Sequence, residues 1–258
     1  MERKPDWLSG FPVQIYCNRG EIADGAVTLS AEDSAHIGRV LRRRVGDSLS
    51  LCDGQGMDYE GVILATGPAV TVRITGQAPS ATEPTVDVTL YAGLSKGERF
   101  EFLVQKAVEL GARRIVPFTS RYCVVKVDER DRQKKQARLQ KIAVEACKQS
   151  LRSRLVEVAP VCTFQQAVEQ AGQAQCPLFL YEKENRQSLS ALLRQGRGSQ
   201  TYAVVTGPEG GFSPEEAAYA METIPSVSVG PRILRCETAP LAALCAILYE
   251  TSNFDIGE

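Results

Sequence analysis

The sequence lacks the features that would direct a chain to a membrane or to secretion. Its longest apolar run, Leu241–Tyr249, is too short to cross a bilayer. The first ten residues have no apolar core, so we expect no secretory signal. The net charge of −1 gives no global attraction to polyanions, so any such contact has to come from a local patch. We therefore expect a cytoplasmic protein that does not insert into membranes.

Signatures of metal sites and disulfide frameworks are also missing. The eight cysteines include no CxxC pair, and His36 is the only histidine. We expect reduced thiols and no metal site. A single histidine is more often a structural or surface residue than a catalytic one.

The stretch Tyr202–Glu216, YAVVTGPEGGFSPEE, predicts a strand, a glycine loop and a helix start. Ala203–Val205 indicate an interior strand of a parallel sheet, and Ser213 before a proline is typical of a helix N-cap. The three glycines let a ligand lie directly on the backbone, at the place where open α/β sheets bind ligands. The loop lacks the lysine of a P-loop, and Glu209 would repel a pyrophosphate. A neutral or cationic cofactor is favoured, with a simple tight turn as the alternative.

Domain organisation follows from the change of pattern along the chain. Residues 1–76 contain short alternating strand candidates, the first at Val13–Tyr16, and one helix capped by Ser30. Residues 77–85, QAPSATEPT, have the composition of a linker. From residue 86 to 258 strands and helices alternate, which predicts an α/β domain with a mostly parallel sheet.

Two helices of this second region have unusual compositions. A long charged helix is predicted from Asp128 to about Leu151. The final helix, Pro240–Tyr249, is almost entirely apolar, with Thr238 as its predicted cap, so we expect it to be buried against the sheet or a partner subunit.

Positive charge is concentrated in two places. Residues 39–44 contain four arginines and no acid, and residues 129–154 contain nine basic and three acidic residues. Both concentrations predict contacts with phosphates. The alternatives are a solvated helix end for the first and a solvated helix with scattered ion pairs for the second.

Two segments together resemble the signature of a known family. TGPEGGFSPEE at 206–216 and GPRILRCETA at 230–239 are similar to the RsmE family, SPOUT-class methyltransferases of uridine N3 in 16S ribosomal RNA. The resemblance continues at 96–118 and 145–154, and it reaches HIGRVLRRRVGD at 36–47. It therefore covers nearly the whole chain.

The resemblance implies a PUA-like RNA-binding β-barrel in residues 1–76 and a SPOUT domain with a C-terminal trefoil knot in residues 86–258, an exception to the rule that folds are unknotted. It implies S-adenosyl-L-methionine as cofactor, a homodimer, and 16S rRNA or the assembled 30S subunit as substrate.

The resemblance also assigns roles to individual positions. The cofactor would contact Leu180, Tyr181, Glu182, Thr206, Gly207, Pro208, Glu209, Gly210, Gly211, Gly230, Ile233, Leu234, Arg235, Thr238 and Ala239. With the basic segments included, the RNA would contact His36, Arg39, Arg42, Arg43, Arg44, Lys96, Lys106, Arg121, Gln149, Arg152 and Arg154. Two departures, Lys148 where many members have Glu and Val156 where they have Pro, put any role of that acid in doubt.

The implied reaction transfers a methyl group in line from sulfonium to nitrogen and needs no metal, but uridine N3 carries a proton at neutral pH. Arg152 or Arg235 could stabilise negative charge that develops on the base. Glu209 or Glu237 could complement the sulfonium or hold a loop together. The alternatives are a SPOUT ribose 2′-O-methyltransferase, a non-catalytic RNA-binding assembly protein, and a nucleotide-dependent α/β enzyme.

Overall fold

A computed structural model describes residues 15–123, 129–184 and 186–255 of the chain. By their contacts, residues 15–83 and 147–155 form one compact unit, and the described residues of 84–146 and 156–255 form the other. Segment 147–155 thus belongs to the first unit although its first residues are the end of the long charged helix.

The first unit is built on an antiparallel sheet. Its strands are β1 (Ile15–Tyr16), β2 (Ala26–Thr28), β3 (Ser48–Cys52), β4 (Met57–Ala65) and β5 (Thr71–Pro79). They are ordered β1-β3-β4-β5-β2, with β1 parallel to β3 and the other pairs antiparallel. Apolar side chains that alternate along the strands fill one face, where Leu51, Ile63 and Val72 are fully buried.

A short helix, α1 (Ala31–Ala35), precedes β3 and continues as a π-helical turn at His36–Val40. Ser30 caps it as predicted, because its Oγ accepts a hydrogen bond from the N–H of Asp33 at 3.1 Å. Ile37 is fully buried in the core of this unit.

Two details of the first unit differ from the predictions, and a third prediction falls partly on residues that the structure does not describe. The short strand β2 was not predicted. β5 extends to Pro79, so the first three residues of the predicted linker are in a strand. Val13 and the residue after it lie outside the described residues, whereas Ile15–Tyr16 form the predicted strand. The division at 1–76, 77–85 and 86–258 stays a prediction.

The second unit is a parallel sheet with helices in its connections. Its strands are β6 (Asp87–Gly93), β7 (Arg114–Thr119), β8 (Glu157–Val158), β9 (Cys162–Thr163), β10 (Cys176–Leu180), β11 (Thr201–Thr206) and β12 (Ser226–Val227). Their order is β12-β10-β11-β6-β7-β8, β9 also pairs with β7, and each of these pairs is parallel. The predicted α/β fold class is confirmed, and the trefoil knot stays a prediction.

Helices lie in the connections between these strands and after the last strand. They are α2 (Glu98–Leu110), α3 (Glu129–Gln149), α4 (Phe164–Ala171), α5 (Leu189–Gln195), α6 (Pro214–Met221) and α7 (Thr238–Glu250). Asp128, the predicted start of the long helix, lies outside the described residues. The predicted cap of the last helix is wrong, because Thr238 is the first helical residue and no side chain caps this helix.

An aromatic cluster fixes the loop after β11 onto the core. The ring of Phe212 lies 4.7 Å from that of Phe179 and 5.4 Å from that of Phe164, measured between centroids. Ser213, the next residue, forms a capping box with Glu216 at the start of α6. The glycine loop between Thr206 and Phe212 is therefore anchored at both ends.

Candidate functional site

The carboxyl ends of three neighbouring strands, β12, β10 and β11, meet at one edge of the parallel sheet. Residues of the loops that follow them, within 181–184, 186–188, 207–212 and 228–237, line a cavity of about 1100 Å³. Open α/β sheets bind ligands at this edge, so the cavity is the candidate site.

The structure brings nearly all the predicted cofactor residues together around this cavity. Those that line it are Leu180, Tyr181, Glu182, Thr206, Gly207, Pro208, Glu209, Gly210, Gly211, Gly230, Ile233, Leu234, Arg235 and Ala239. Thr238 does not line it; its backbone N–H donates to the carbonyl of Arg235 at 2.9 Å and so begins helix α7. The roles of these residues stay predictions.

Other lining residues were missed by the sequence reasoning, among them Arg99, Glu184, Ser188, Phe212, Ser228 and Cys236. Most of these residues follow the ends of β10, β11 and β12, so the strand ends themselves were the usable signal. Arg99 comes from the start of α2, and no pattern near it pointed to the cavity.

Glu209 ties the middle loop to the start of helix α2. One oxygen of its carboxylate, Oε1, accepts a hydrogen bond from the backbone N–H of Lys96 at 3.0 Å and another from Arg99 Nη1 at 3.2 Å. The Glu209 side chain is 23% exposed, whereas that of Arg99 is 52% exposed. These contacts favour the loop-holding alternative for Glu209.

Gly210 is explained by a protein contact as well as by its place in the cavity wall. A Cβ atom built at Gly210 would lie 2.8 Å from the Cβ of Tyr122 and 3.0 Å from its carbonyl oxygen. Real Cβ contacts are essentially never that short. A side chain at residue 210 would therefore collide with the turn that contains Tyr122. This explanation for the glycine differs from the expectation that glycine leaves space for a ligand.

The first and third loops are bonded to each other. Glu184 Oε1 accepts from the backbone N–H of Arg186 at 2.7 Å, and its other oxygen accepts from the hydroxyl of Ser226. The backbone N–H of Ser228 donates to Gln187 at 2.9 Å. These bonds fix two sides of the cavity relative to one another.

Charges of both signs face the cavity, with four glutamates and four arginines among its lining residues. Cys236 lies beside one of these acids and donates its thiol hydrogen to Glu237 Oε2 at 3.2 Å. Burial, followed by the hydrogen bond and the charge of Glu237, raises the pKa of Cys236 to about 12. The thiol is therefore protonated at neutral pH.

Arg152, a predicted catalytic residue, is not among the cavity-lining residues and belongs to the first unit. Its guanidinium is buried and donates from Nη2 to Glu83 Oε2 at 2.7 Å. The other oxygen of Glu83 accepts from the backbone N–H of Arg154 at 2.9 Å. The hydroxyl of Tyr16 donates to the carbonyl of Arg152, and burial raises the pKa of Tyr16.

The other predicted RNA-contacting residues have varied surroundings. Arg39, Arg42, Arg43 and Arg44 are exposed on the first unit, as is Gln149 at the end of α3, and Lys96, before α2, is exposed on the second unit. Arg154 donates from Nε to the carbonyl of Gln55 at 3.1 Å, and His36 is half-buried. Lys106 pairs with Glu109 at 2.8 Å, and Arg121 pairs with Glu215 at 3.1 Å.

Among the residues with described placement, no group of three histidine, cysteine or acidic side chains is arranged to hold a metal ion. No helix within the described ranges combines the length and apolarity that a membrane span requires.

Comparison with known proteins places these features in a family. Residues 82–248 match the model of the RNA methyltransferase domain, and residues 29–75 match that of the RNA methyltransferase PUA domain. Ribosomal RNA small subunit methyltransferase E of Bacillus subtilis is 33% identical over 230 residues, which cover 87% of this chain and 90% of that protein.

Two solved structures are similar over almost their whole length. Ribosomal RNA small subunit methyltransferase E from Neisseria gonorrhoeae, bound to S-adenosyl methionine, is 28% identical with a TM-score of 0.76, covering 92% of this chain and 97% of that one. A methyltransferase from Legionella pneumophila in complex with SAM is 30% identical with a TM-score of 0.78 and the same coverage of both chains.

Proposed function

We propose a function from the premise that this chain belongs to the RNA methyltransferase family that includes ribosomal RNA small subunit methyltransferase E. It is an S-adenosylmethionine-dependent methyltransferase of the ribosomal RNA of the small subunit. The acceptor is N3 of a uridine in 16S rRNA. The enzyme acts as a cytoplasmic homodimer on the RNA or on the assembled 30S subunit. The observation that carries this proposal is the cavity enclosed by the three loops at the strand ends.

The cavity fits the chemistry of the cofactor. S-adenosylmethionine combines a flat apolar adenine with a sulfonium, an ammonium and a carboxylate, and the lining offers apolar side chains together with charges of both signs. A Cβ atom built at Gly230 meets no atom within 4 Å, so the backbone there faces open space at the cavity wall. Its φ of 121° also favours glycine.

When bound, the cofactor supplies an electrophilic methyl group. The glycine loop would hold the adenine through backbone groups without side-chain bulk. Glutamates that line the cavity would complement the positive charges of the sulfonium and the ammonium. Loops fixed by hydrogen bonds and by the Phe212 cluster would hold the methyl donor in place beside its acceptor, which contributes through proximity.

Arg235 is the residue we propose to stabilise negative charge on the uracil oxygens as N3 loses its proton. Arg235 lies in the cavity wall and is exposed. A positive group positioned where negative charge develops lowers the barrier. Arg152, by contrast, already has a buried partner in Glu83.

We propose that the exposed arginines of the first unit contact the phosphates of the RNA backbone. Residues 39–44 present four arginines beside the π-helical turn, and the matched PUA domain supports an RNA-facing role. The affinity for RNA falls as salt rises, so the slope of log affinity against log salt is negative. Replacing Arg42, Arg43 and Arg44 with alanine should make this slope less steep by about 2 to 3, because each phosphate contact contributes roughly 0.7–0.9. Cofactor affinity should not change.

The proposed function is tested by nucleoside analysis. Small-subunit RNA from cells without the protein is incubated with the purified chain and S-adenosylmethionine that carries a labelled methyl group. The expected product is N3-methyluridine at a single position, and omission of the chain is the control. Label on a ribose would contradict the proposed acceptor, and absence of label from both the free RNA and 30S subunits of the same cells would contradict the activity.

A further inference from the structure

An exposed aromatic side chain lies beside the loop that lines the cavity. Tyr122 follows strand β7, and 43% of its surface is exposed. Its Cβ and carbonyl oxygen lie against Gly210, which is part of the cavity wall. Tyr122 is therefore separated from the cavity by one residue of the glycine loop.

The turn that carries Tyr122 is held firmly by its neighbours. The backbone N–H of Cys123 donates to the carbonyl of Ser120 at 3.1 Å, and the N–H of Ser120 donates to Cys123 Sγ at 3.3 Å. The N–H of Arg121 donates to Glu216 Oε1 at 2.8 Å. Because its backbone is fixed, Tyr122 has only side-chain rotation left to lose when a ligand packs on its ring.

Two basic residues, Lys96 and Arg121, lie in the segments that adjoin Gly210 and Tyr122. Lys96 is exposed, and its backbone N–H is bonded to Glu209, next to Gly210. Arg121, the residue before Tyr122, is also exposed, and it pairs with the exposed Glu215 at 3.1 Å. An exposed aromatic ring with basic residues in neighbouring segments can bind unpaired nucleotides, with stacking for the base and charge for the backbone.

We propose that Tyr122 is a positioning residue on which an unstacked base of the RNA substrate stacks beside the methyl donor. The inference rests on the proposed function and adds a specific contact to it. A uracil ring must leave its stack before N3 is reachable, and an aromatic platform compensates for the stacking that is lost. The competing explanation is that Tyr122 only packs against Gly210.

The test separates binding from turnover. Tyr122→Ala should raise KM for the RNA by about 5- to 150-fold, the range for loss of one base–aromatic stack. Tyr122→Phe, which keeps the ring, should stay within about twofold of the wild type. Cofactor affinity and the slope of log affinity against log salt should not change, because stacking involves no ion release.

Tyr249→Ala is the matched control. Tyr249 is 75% exposed near the end of α7, beside Glu250, which bonds to Arg197. Its KM should equal that of the wild type. If the wild type methylates RNA but Tyr122→Ala has the same KM, or Tyr122→Phe is as impaired as Tyr122→Ala, the stacking inference is overturned. If the wild type transfers no methyl group, the proposed function fails first.

A crosslink provides a direct readout. The uridine that is methylated is replaced by 5-iodouridine in the RNA. The complex of this RNA with the wild-type protein is irradiated, and the crosslinked peptide is identified by mass spectrometry. A crosslink at Tyr122 that competes with unmodified RNA supports stacking of the target base. Crosslinks confined to peptides without Tyr122 would overturn the stacking inference, as would an unchanged KM of Tyr122→Ala.

Discussion

Two arginines with the same predicted role have opposite surroundings in the structure. Arg152 lies in segment 147–155, with its side chain 4% exposed and paired with Glu83. Arg235 lies in the loop after β12, is exposed, and lines the cavity. A buried pair holds a fold together, whereas an exposed arginine at a cavity wall is available for a ligand. The comparison teaches that a motif identifies positions but not the partners of their side chains.

The partner of Arg152 explains why the sequence was misleading at this point. Glu83 is 69 positions away, within the stretch predicted to be a linker. Nothing in a Pro- and Ser-rich stretch indicates that one of its acids is buried. The same carboxylate also accepts the backbone N–H of Arg154, so a single glutamate organises segment 147–155.

The largest predicted effect is on the stability of the first unit. Arg152→Ala should lower the free energy of unfolding by about 3–5 kcal/mol, because it leaves the buried Glu83 carboxylate without its cation. The measurement is chemical unfolding of the full chain by circular dichroism. Arg235→Ala is the control and should change stability by less than about 0.5 kcal/mol, as for other exposed residues.

The double variant Glu83→Leu with Arg152→Met sharpens this prediction. Replacing both partners removes the unpaired charge, so most of the lost stability should return. If Arg152→Ala is as stable as the wild type but loses activity, Arg152 acts on the substrate. The contrast between a structural Arg152 and a ligand-facing Arg235 would then be wrong.

The second predicted effect is on methyl transfer. Arg235→Ala should reduce kcat on the order of 10²-fold, the loss seen when one group that stabilises developing negative charge is removed. RNA affinity should change much less. Single-turnover rates with saturating cofactor provide the measurement. Arg232→Ala, a second exposed arginine of the same loop and cavity wall, is the matched control. Equal losses in both variants would mean that general positive charge is what matters.

Much of the second unit was predictable because its signals are local. Strand β11, the glycine loop and α6 follow one another in the predicted order, with a capping box at the start of α6. Hydrophobic periodicity and capping depend on residues a few positions apart, so they can be read from one stretch.

The parts that were missed depend on distant contacts. β8 and β9 contain two residues each, too few for an alternating pattern, and they exist because β7 pairs with them. Residue 210 has to be glycine because a side chain there would collide with Tyr122. The groups that donate hydrogen bonds to Glu209 lie at the start of α2. Such pairings have no signal within a short stretch of sequence.

A smaller effect distinguishes the two roles of Glu209. If it holds the loop, Glu209→Gln and Arg99→Ala should each raise the cofactor Kd about two- to fivefold, consistent with the roughly 0.2–1 kcal/mol of a partly exposed ion pair. The double variant should be no worse than either single one, because both remove the same interaction. Calorimetric titration with S-adenosylmethionine provides the values. A large effect of Glu209→Gln with none for Arg99→Ala would instead indicate direct contact with the cofactor.

The smallest predicted effect compares one thiol from each region. Cys147, in segment 147–155, is fully buried and should not react with N-ethylmaleimide in the native protein. Cys236, in the cavity wall, should react slowly, because its pKa is raised to about 12 and little thiolate is present at neutral pH. Its rate should rise about tenfold per pH unit between pH 7 and 9.

The same labelling reports on the cavity, with reaction at each cysteine followed by peptide mass spectrometry. S-adenosylmethionine should slow the reaction at Cys236 by occupying the space beside it and should leave Cys147 unreactive. Glu237→Gln should accelerate the reaction at Cys236, because removing the neighbouring carboxylate charge lowers the pKa of the thiol. Reaction at Cys236 that is unchanged by the cofactor would contradict its place in the cofactor cavity, since the segment around Cys236 lines that cavity. Reaction at Cys147 in the native protein would contradict its burial.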